Sequence, residues 1–301
     1  MSKETMTLPE VDVEAMELAV EDLDPKRAGA IYRDYGALVV RGLMAPYAEM
    51  IRLDVEAAAQ TAISLLEQAT EVPEGWRTPD GTLWLPAPEG FERDKQIMVL
   101  ACGYHHSGAF FQSALDDRLL DVVASVLGPN IELFMNGQCL YKEPCGGHPK
   151  LLHQDASYFE HKYEGPCAVL NYCVDTDVER GALHVVPGSH RLGVLDHVDT
   201  ESHLGLDPAL WSLENAVPIE GRAGDAIFFH VNTIHGSPQN FSKGPRPVFI
   251  HRYRRADDFV VISGTGTQNR SEAEKHMADA RKQNQLGFMV RGSRTYEGER
   301  L

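Results

Sequence analysis

The stretch Leu151-Leu152-His153-Gln154-Asp155-Ala156-Ser157-Tyr158-Phe159-Glu160 is the one on which the reading of the chain turns. In an extended strand, side chains two apart share a face, so His153 and Asp155 present an imidazole and a carboxylate to one cation. A further histidine, His235, completes a two-histidine, one-carboxylate set, associated with non-haem iron(II), that leaves coordination positions open. Spacing alone does not select this pair. With 13 histidines in the chain, chance supplies roughly one His-x-Asp at ordinary composition, and a second occurs at His197-Val198-Asp199. That one follows the turn Pro187-Gly188-Ser189-His190 in a polar run and reads as a solvated loop. Context favours the first.

Outward from this stretch the texture is β. Short apolar runs at 131–142, 167–174, 182–186, 226–231 and 247–253, separated by turn residues, predict strands. Coming after helices, they predict a mainly β fold with peripheral α: a double-stranded β-helix (jelly roll, cupin-like) with helices packed on its outside. Upstream, Asp24 caps and Pro25 opens a helix over 25–35 that Gly36 ends. Residues 37–41 read as a strand, 45–71 as a long helix and 117–127 as an amphipathic one. The irregular segment 72–95 reads as a candidate lid or substrate wall carrying Trp76 and Trp84, or else as a surface excursion that those two tryptophans anchor. The whole is read as one domain, 1–301. Within it, 1–23 is a loosely held segment or peripheral strand, 24–130 helical support, 131–254 the jelly-roll core with the metal site, and 255–301 an extension with a charged surface helix over about 271–284.

Composition bounds the partners. Hydrophobic residues at 43% and charged residues at 24% are ordinary for a globular chain. No apolar run approaches a membrane span, and the acidic first twenty residues do not read as a signal peptide, so a cytoplasmic protein with no membrane partner is expected. A formal charge of −16 leaves no basic stripe for nucleic acid. The five cysteines form no C-x-x-C and read as reduced thiols in or near the core. Gly264-Thr265-Gly266 lacks the glycine spacing and strand-to-helix setting of a dinucleotide site. A homodimer is compatible with all of this.

The chemistry concentrates in Gly224-Asp225-Ala226-Ile227-Phe228-Phe229-His230-Val231-Asn232-Thr233-Ile234-His235-Gly236-Ser237. His235 falls where a buried strand gives way to a loop, a place from which a ligand reaches a barrel mouth. His230, deeper and between aromatics, reads as a hydrogen-bonded core residue. The chain then folds back and places Arg246 near His235. A buried arginine beside a metal needs an anion, and its planar fork fits a carboxylate. A 2-oxoglutarate chelating the metal by its 2-oxo acid end supplies one, its distal carboxylate meeting Arg246 and the Ser237 hydroxyl. The other reading of Arg246 is a surface residue in a proline-rich loop.

Taken together, His153-Gln154-Asp155, the run Gly181-Ala182-Leu183-His184-Val185-Val186-Pro187-Gly188-Ser189-His190, and Gly224-Asp225 leading to His235, Ser237 and Arg246 resemble, in order and interval, the phytanoyl-CoA dioxygenase (PhyH) family of Fe(II)- and 2-oxoglutarate-dependent oxygenases. The resemblance runs over about residues 28–254. It implies a jelly roll, His153, Asp155 and His235 as iron ligands, Arg246 and Ser237 as the 2-oxoglutarate clamp, and Fe(II), 2-oxoglutarate and O2 as the reacting set with a small-molecule substrate. Gln138 or Tyr141 would be the polar co-substrate contact on the strand before the metal pair. Asn171 stands where the family frequently has tryptophan, a departure that implies a different hold on the co-substrate or a polar substrate. Cys145-Gly146-Gly147-His148 also departs from the family's proline-glycine turn, and His148 is read as a loop residue. A carboxylate at Asp155 argues against halogenation, which leaves hydroxylation as the default, with desaturation and cyclisation open to the same chemistry. Arg252 and Arg254 share a strand face and read as surface ion pairs or as contacts to an anionic substrate. No basic cluster suits coenzyme A, so a small metabolite or natural-product intermediate is expected. Two other classes use the same residues: a zinc-type metallohydrolase on a cupin scaffold, which has no need of Arg246 and Ser237, and a non-catalytic cupin-like binding protein.

Overall fold

The computed structural model describes residues 8–68, 78, 81–163, 165–200, 203–261 and 286–294. Its frame is two facing sheets. The larger runs, in spatial order, through Glu17–Ala19, Ala37–Arg41, Ala226–His230, Cys167–Tyr172, Arg246–Arg255, Gln138–Lys142, Lys95–Leu100 and Leu83–Pro86, with Ile131–Leu133 and Met289–Arg291 beside the long strand. Its pairs are antiparallel except for the first, Glu17–Ala19 on Ala37–Arg41. The smaller sheet has four strands in the order Val217–Ile219, Leu183–Val185, His235–Ser237 and Lys150–His153.

Period-two side-chain placement divides the larger sheet into two buried faces. Leu170, Tyr172, Ile227, Phe229, Val248 and Ile250 point at Leu183, Val185 and Ile219 of the smaller sheet and form the inter-sheet core. Their neighbours Val169, Phe228, Phe249 and Tyr253 point the other way, onto the helices Pro25–Tyr35, Ala45–Glu67 and Asp117–Leu127 through Tyr32, Ile51, Val55, Leu119 and Val123. Because helices cover one face and a sheet the other, the three central strands are buried on both faces along nearly their whole length. The helix ends follow the local chemistry: Asp24 and Asp116 accept backbone N–H groups at their N-caps, and Gly36, at φ 72°, closes the first helix in the left-handed conformation.

Several expectations are corrected here. Segment 72–95 is not simply an irregular loop: Leu83–Pro86 forms an edge strand against Lys95–Leu100, a position that tolerates Pro86 because the outer N–H groups have no ladder partner. Strand 131–142 is two strands, Ile131–Leu133 and Gln138–Lys142, separated by a bend with positive φ at Met135 and Gly137. Trp84 lies at 0% exposure in the helix-side core. Trp76 and the helix expected over 271–284 lie outside the described residues. Four of the cysteines are buried free thiols, while Cys145 is exposed. Among the described residues, no helix is long and apolar enough to cross a membrane.

Candidate active site

The smaller sheet ends where the chemistry begins. His153 is the last residue of Lys150–His153 and His235 the first of His235–Ser237, and the two are directly paired in antiparallel register. Their rings lie 4.3 Å apart, centroid to centroid. Asp155 does not reach them by continuing a strand. The strand stops at His153, and Asp155 sits in helical conformation at the head of the short helix Ala156–Phe159. This turn swings its carboxylate back, so that Oδ1 stands 3.9 Å from His153 Nε2 and 3.8 Å from His235 Nε2. All three donor atoms lie within 4.8 Å of one another, and all three residues are buried.

The tautomers are set by the backbone. The Nδ1 of His153 meets the Leu151 carbonyl at 2.8 Å and that of His235 meets the Thr233 carbonyl at 2.9 Å. Each Nδ1 therefore carries the proton and donates it, leaving the Nε2 lone pair directed at the shared point. Burial lowers the pKa of both imidazoles, so they stay neutral, the state a metal requires. Between the ligands, Gln154 is fully buried and ties three segments together. Its Nε2 donates to the carbonyls of Gly193 and Asn232, and its Oε1 accepts from Leu195 N. His197 accepts the Gln154 backbone N–H at 3.0 Å and is itself fully buried. It is thus a positioning group and not part of a solvated loop: the bend after His153 leaves an amide that needs an acceptor.

The three donors open onto a cavity of about 390 Å³ between the sheets. Arg246, Ser237, Gln138 and Tyr141 line it, as does Arg252. Arg246 is 2% exposed, and its Nε and Nη2 both donate to the Gly181 carbonyl. Among the described residues it has no acidic partner, and burial pushes its pKa down to about 10. Arg252 donates to Gln138 Oε1 at 3.0 Å and lies 3.4 Å from Asp155 Oδ2, the carboxylate oxygen turned away from the histidines. The expected surface ion pairing fails for both distal arginines. Arg254, fully buried, is paired with the equally buried Glu132 at 2.7 Å and does not line the cavity. Asn171 does not line it either. It points to the helix side of its strand, where Nδ2 donates to the Val169 and Phe249 carbonyls, and Leu170 faces the cavity in its place. Trp84 is likewise absent from the lining. His230 also faces away, accepting from Asn232 N.

Lys142, Lys150 and His203 also line the cavity and were not singled out from the sequence. Lys142, in register with Arg246, donates to the carbonyls of Ser237 and Pro238. Lys150 lies on the strand that carries His153, and His203 stacks edge-on against that histidine with centroids 5.0 Å apart. Burial lowers Lys142 well below its ordinary range, and it lowers Lys150 to about 8. The signal for Lys142 is the alternation Gln138, Leu140, Lys142, which puts a charge on an inward position of a buried strand.

A family model described as phytanoyl-CoA dioxygenase (PhyH) matches residues 32–248. The chain belongs to the phytanoyl-CoA dioxygenase family. Relatives within reach of sequence comparison include a probable alpha-ketoglutarate-dependent hypophosphite dioxygenase from Stutzerimonas stutzeri, 29% identical over 173 residues that make up 55% of this chain and 58% of that protein. The peroxisomal phytanoyl-CoA dioxygenase of Mus musculus is 28% identical over 214 residues, 64% of this chain and 61% of that protein. The chain thus spans about 60% of the length of these two relatives. Among solved structures, the non-heme alpha ketoglutarate dependent carbocyclase SnoK from nogalamycin biosynthesis superposes with a TM-score of 0.56 at 20% identity, covering 92% of this chain and 97% of that one. The epimerase SnoN from the same biosynthesis gives 0.54 at 22%, covering 80% and 86%. At these identities the likeness is one of fold, and the shared fold is the jelly roll.

Proposed function

We propose that this chain, acting as one domain, is an Fe(II)- and 2-oxoglutarate-dependent dioxygenase that oxidises a small metabolite, with hydroxylation as the outcome and succinate and carbon dioxide as co-products. The observation that carries this reading is the meeting, in one cavity, of a His153, Asp155, His235 donor set with a buried Arg246 that has no acidic partner among the described residues. The donor set fits iron(II): two neutral imidazoles and one carboxylate on one side leave room for further ligands on the other. Iron(II) held there would couple the oxidative decarboxylation of 2-oxoglutarate by O2 to oxidation of a substrate C–H bond.

The remaining work falls to this chain's own side chains. Arg246, kept in place by the Gly181 carbonyl, offers the unused part of its fork to the distal carboxylate of 2-oxoglutarate, and the buried Ser237 hydroxyl stands at the same end of the cavity. Arg252 holds the outer oxygen of Asp155 and so orients the inner one toward the histidines. The apolar walls supplied by Leu140, Leu170 and Ile250 exclude water around the reacting groups. A zinc hydrolase built on the same three donors has no use for Arg246, and the presence of that residue favours the oxygenase.

Anaerobic addition of Fe(II) and 2-oxoglutarate tests the reading through the visible charge-transfer band of the chelate, followed by admission of oxygen and a succinate assay. A colourless complex with no affinity for 2-oxoglutarate would sink it.

A further inference from the structure

Four cationic side chains, Lys142, Lys150, Arg246 and Arg252, line the cavity against a single carboxylate, Asp155. Given iron and 2-oxoglutarate at this site, as proposed above, the two positive charges of one cancel the two negative charges of the other. Three positive charges then remain in a space walled largely by apolar surface. Counting Lys142 as neutral, since burial weakens its hold on the proton, still leaves two. Sealing such an excess under a neutral substrate strips the cations of water without supplying a counter-ion, which is costly in a low-dielectric site.

The four differ in what they already hold. Lys142 donates to the carbonyls of Ser237 and Pro238, Arg246 to Gly181, and Arg252 to Gln138 and Asp155. Lys150 has no side-chain hydrogen bond or ion pair among the described residues. It lines the cavity from the strand that ends in His153, and its charge acts on Asp155, Arg252, His153 and His235, which puts it on the metal side of the cavity.

We propose that Lys150 is the substrate-recognition residue and that the substrate is an anion, carrying a carboxylate, sulfonate or phosphonate group that pairs with this ammonium while its apolar part lies along Leu140, Leu170 and Ile250. The inference rests on the oxygenase reading for its charge count, and names the substrate class for that same cavity.

The test is calorimetric titration of the anaerobic protein, saturated with Fe(II) and 2-oxoglutarate, with hexanoate, hexanesulfonate, hexylphosphonate and neutral methyl hexanoate. At least one anion binds about tenfold or more tightly than the ester, because a desolvated charge pair is worth at least that much. The ranking of the three anions identifies the head group. Lys150→Met erases the preference, Lys150→Arg keeps it, and both leave the chelate band and the 2-oxoglutarate affinity unchanged. Since Lys150→Met removes an unpaired cation from a packed site, its melting temperature is not lowered, which separates lost recognition from lost folding. Anions that bind no better than the ester, or not at all, overturn the proposal, as does a preference that survives Lys150→Met. A fall in 2-oxoglutarate affinity in Lys150→Met also overturns it, by assigning the lysine to the co-substrate. Absence of the chelate band in the unmutated protein refutes the oxygenase reading instead, and the same titration on the iron-free protein then decides whether Lys150 selects anions.

Discussion

Arg246→Ala is the perturbation that bears most directly on the co-substrate. The guanidinium is all but sealed from water, it spends two of its N–H groups on one backbone carbonyl, and it lacks an acidic partner among the described residues. Burial takes its pKa from 12.5 to about 10, a net penalty on the charged form on the order of 3 kcal/mol. A carboxylate delivered to this position recovers that cost, so truncating the arginine forfeits about 2 to 5 kcal/mol of binding. In dissociation-constant terms the loss of 2-oxoglutarate affinity is about 30-fold at the lower end and over a thousandfold at the upper. The assay is an anaerobic titration of the Fe(II) protein with 2-oxoglutarate, followed at the chelate band. Fe(II) affinity, measured separately, is unchanged, because Arg246 touches none of the three donors. The Gly181 carbonyl loses its partner, so a stability loss of about 1 kcal/mol accompanies the variant and is checked by thermal melting. Unchanged 2-oxoglutarate affinity in a folded variant would refute the clamp and the charge argument behind it.

Three further outcomes follow from the same structure. Asp155→Ala removes the only carboxylate of the donor set, and Fe(II) retention in equilibrium dialysis falls by about 100-fold or more; retention at the level of the unmutated protein means the metal sits elsewhere. Arg254→Ala takes from Glu132 Oε1 its fully buried ion-pair partner, while Arg294 and the Gly287 N–H stay on Oε2, and destabilises the fold by about 3 to 5 kcal/mol, read as the shift in urea midpoint, whereas a surface ion pair would cost under 1 kcal/mol or so. Burial lowers His148, His230, His203 and His251 to about 4, 4, 3 and 3. The unfolded chain therefore binds more protons than the native one between these values and 6.5, and stability falls as the pH drops through that window, by up to about 1.4 kcal/mol per pH unit for each group; a metal-free protein whose unfolding free energy is flat from pH 6.5 to 5 contradicts this.

How much of this was legible beforehand depended on whether a residue's neighbours along the chain determine its surroundings. The helix over Pro25–Tyr35 was readable because Asp24, Pro25 and Gly36 act locally on its two ends. His153, Asp155, His235 and Arg246 were readable because their order and intervals recur together in one family, although the geometry assumed for Asp155 was a strand and the structure supplies a turn. Faces were harder. In Cys167–Tyr172 every residue is buried, so no polar alternation marks which positions look into the cavity, and Asn171 was placed one residue out of phase. Charge misled in the long strand: Arg254 belongs inside only because Glu132, distant in sequence, waits there. Lys142 and Lys150 were passed over because a lysine read alone defaults to solvent, and only the convergence of two sheets encloses them.

The direct cross-strand pairing of His153 with His235 means that two of the three donors are set side by side by hydrogen-bond register. The spacing of these two ligands is therefore a property of the sheet and not of side-chain rotamers alone. The same arrangement makes the centre intolerant of length changes in either strand, since a one-residue slip turns an imidazole to the opposite face of its sheet, while the helices and connections farther out are free to drift in sequence.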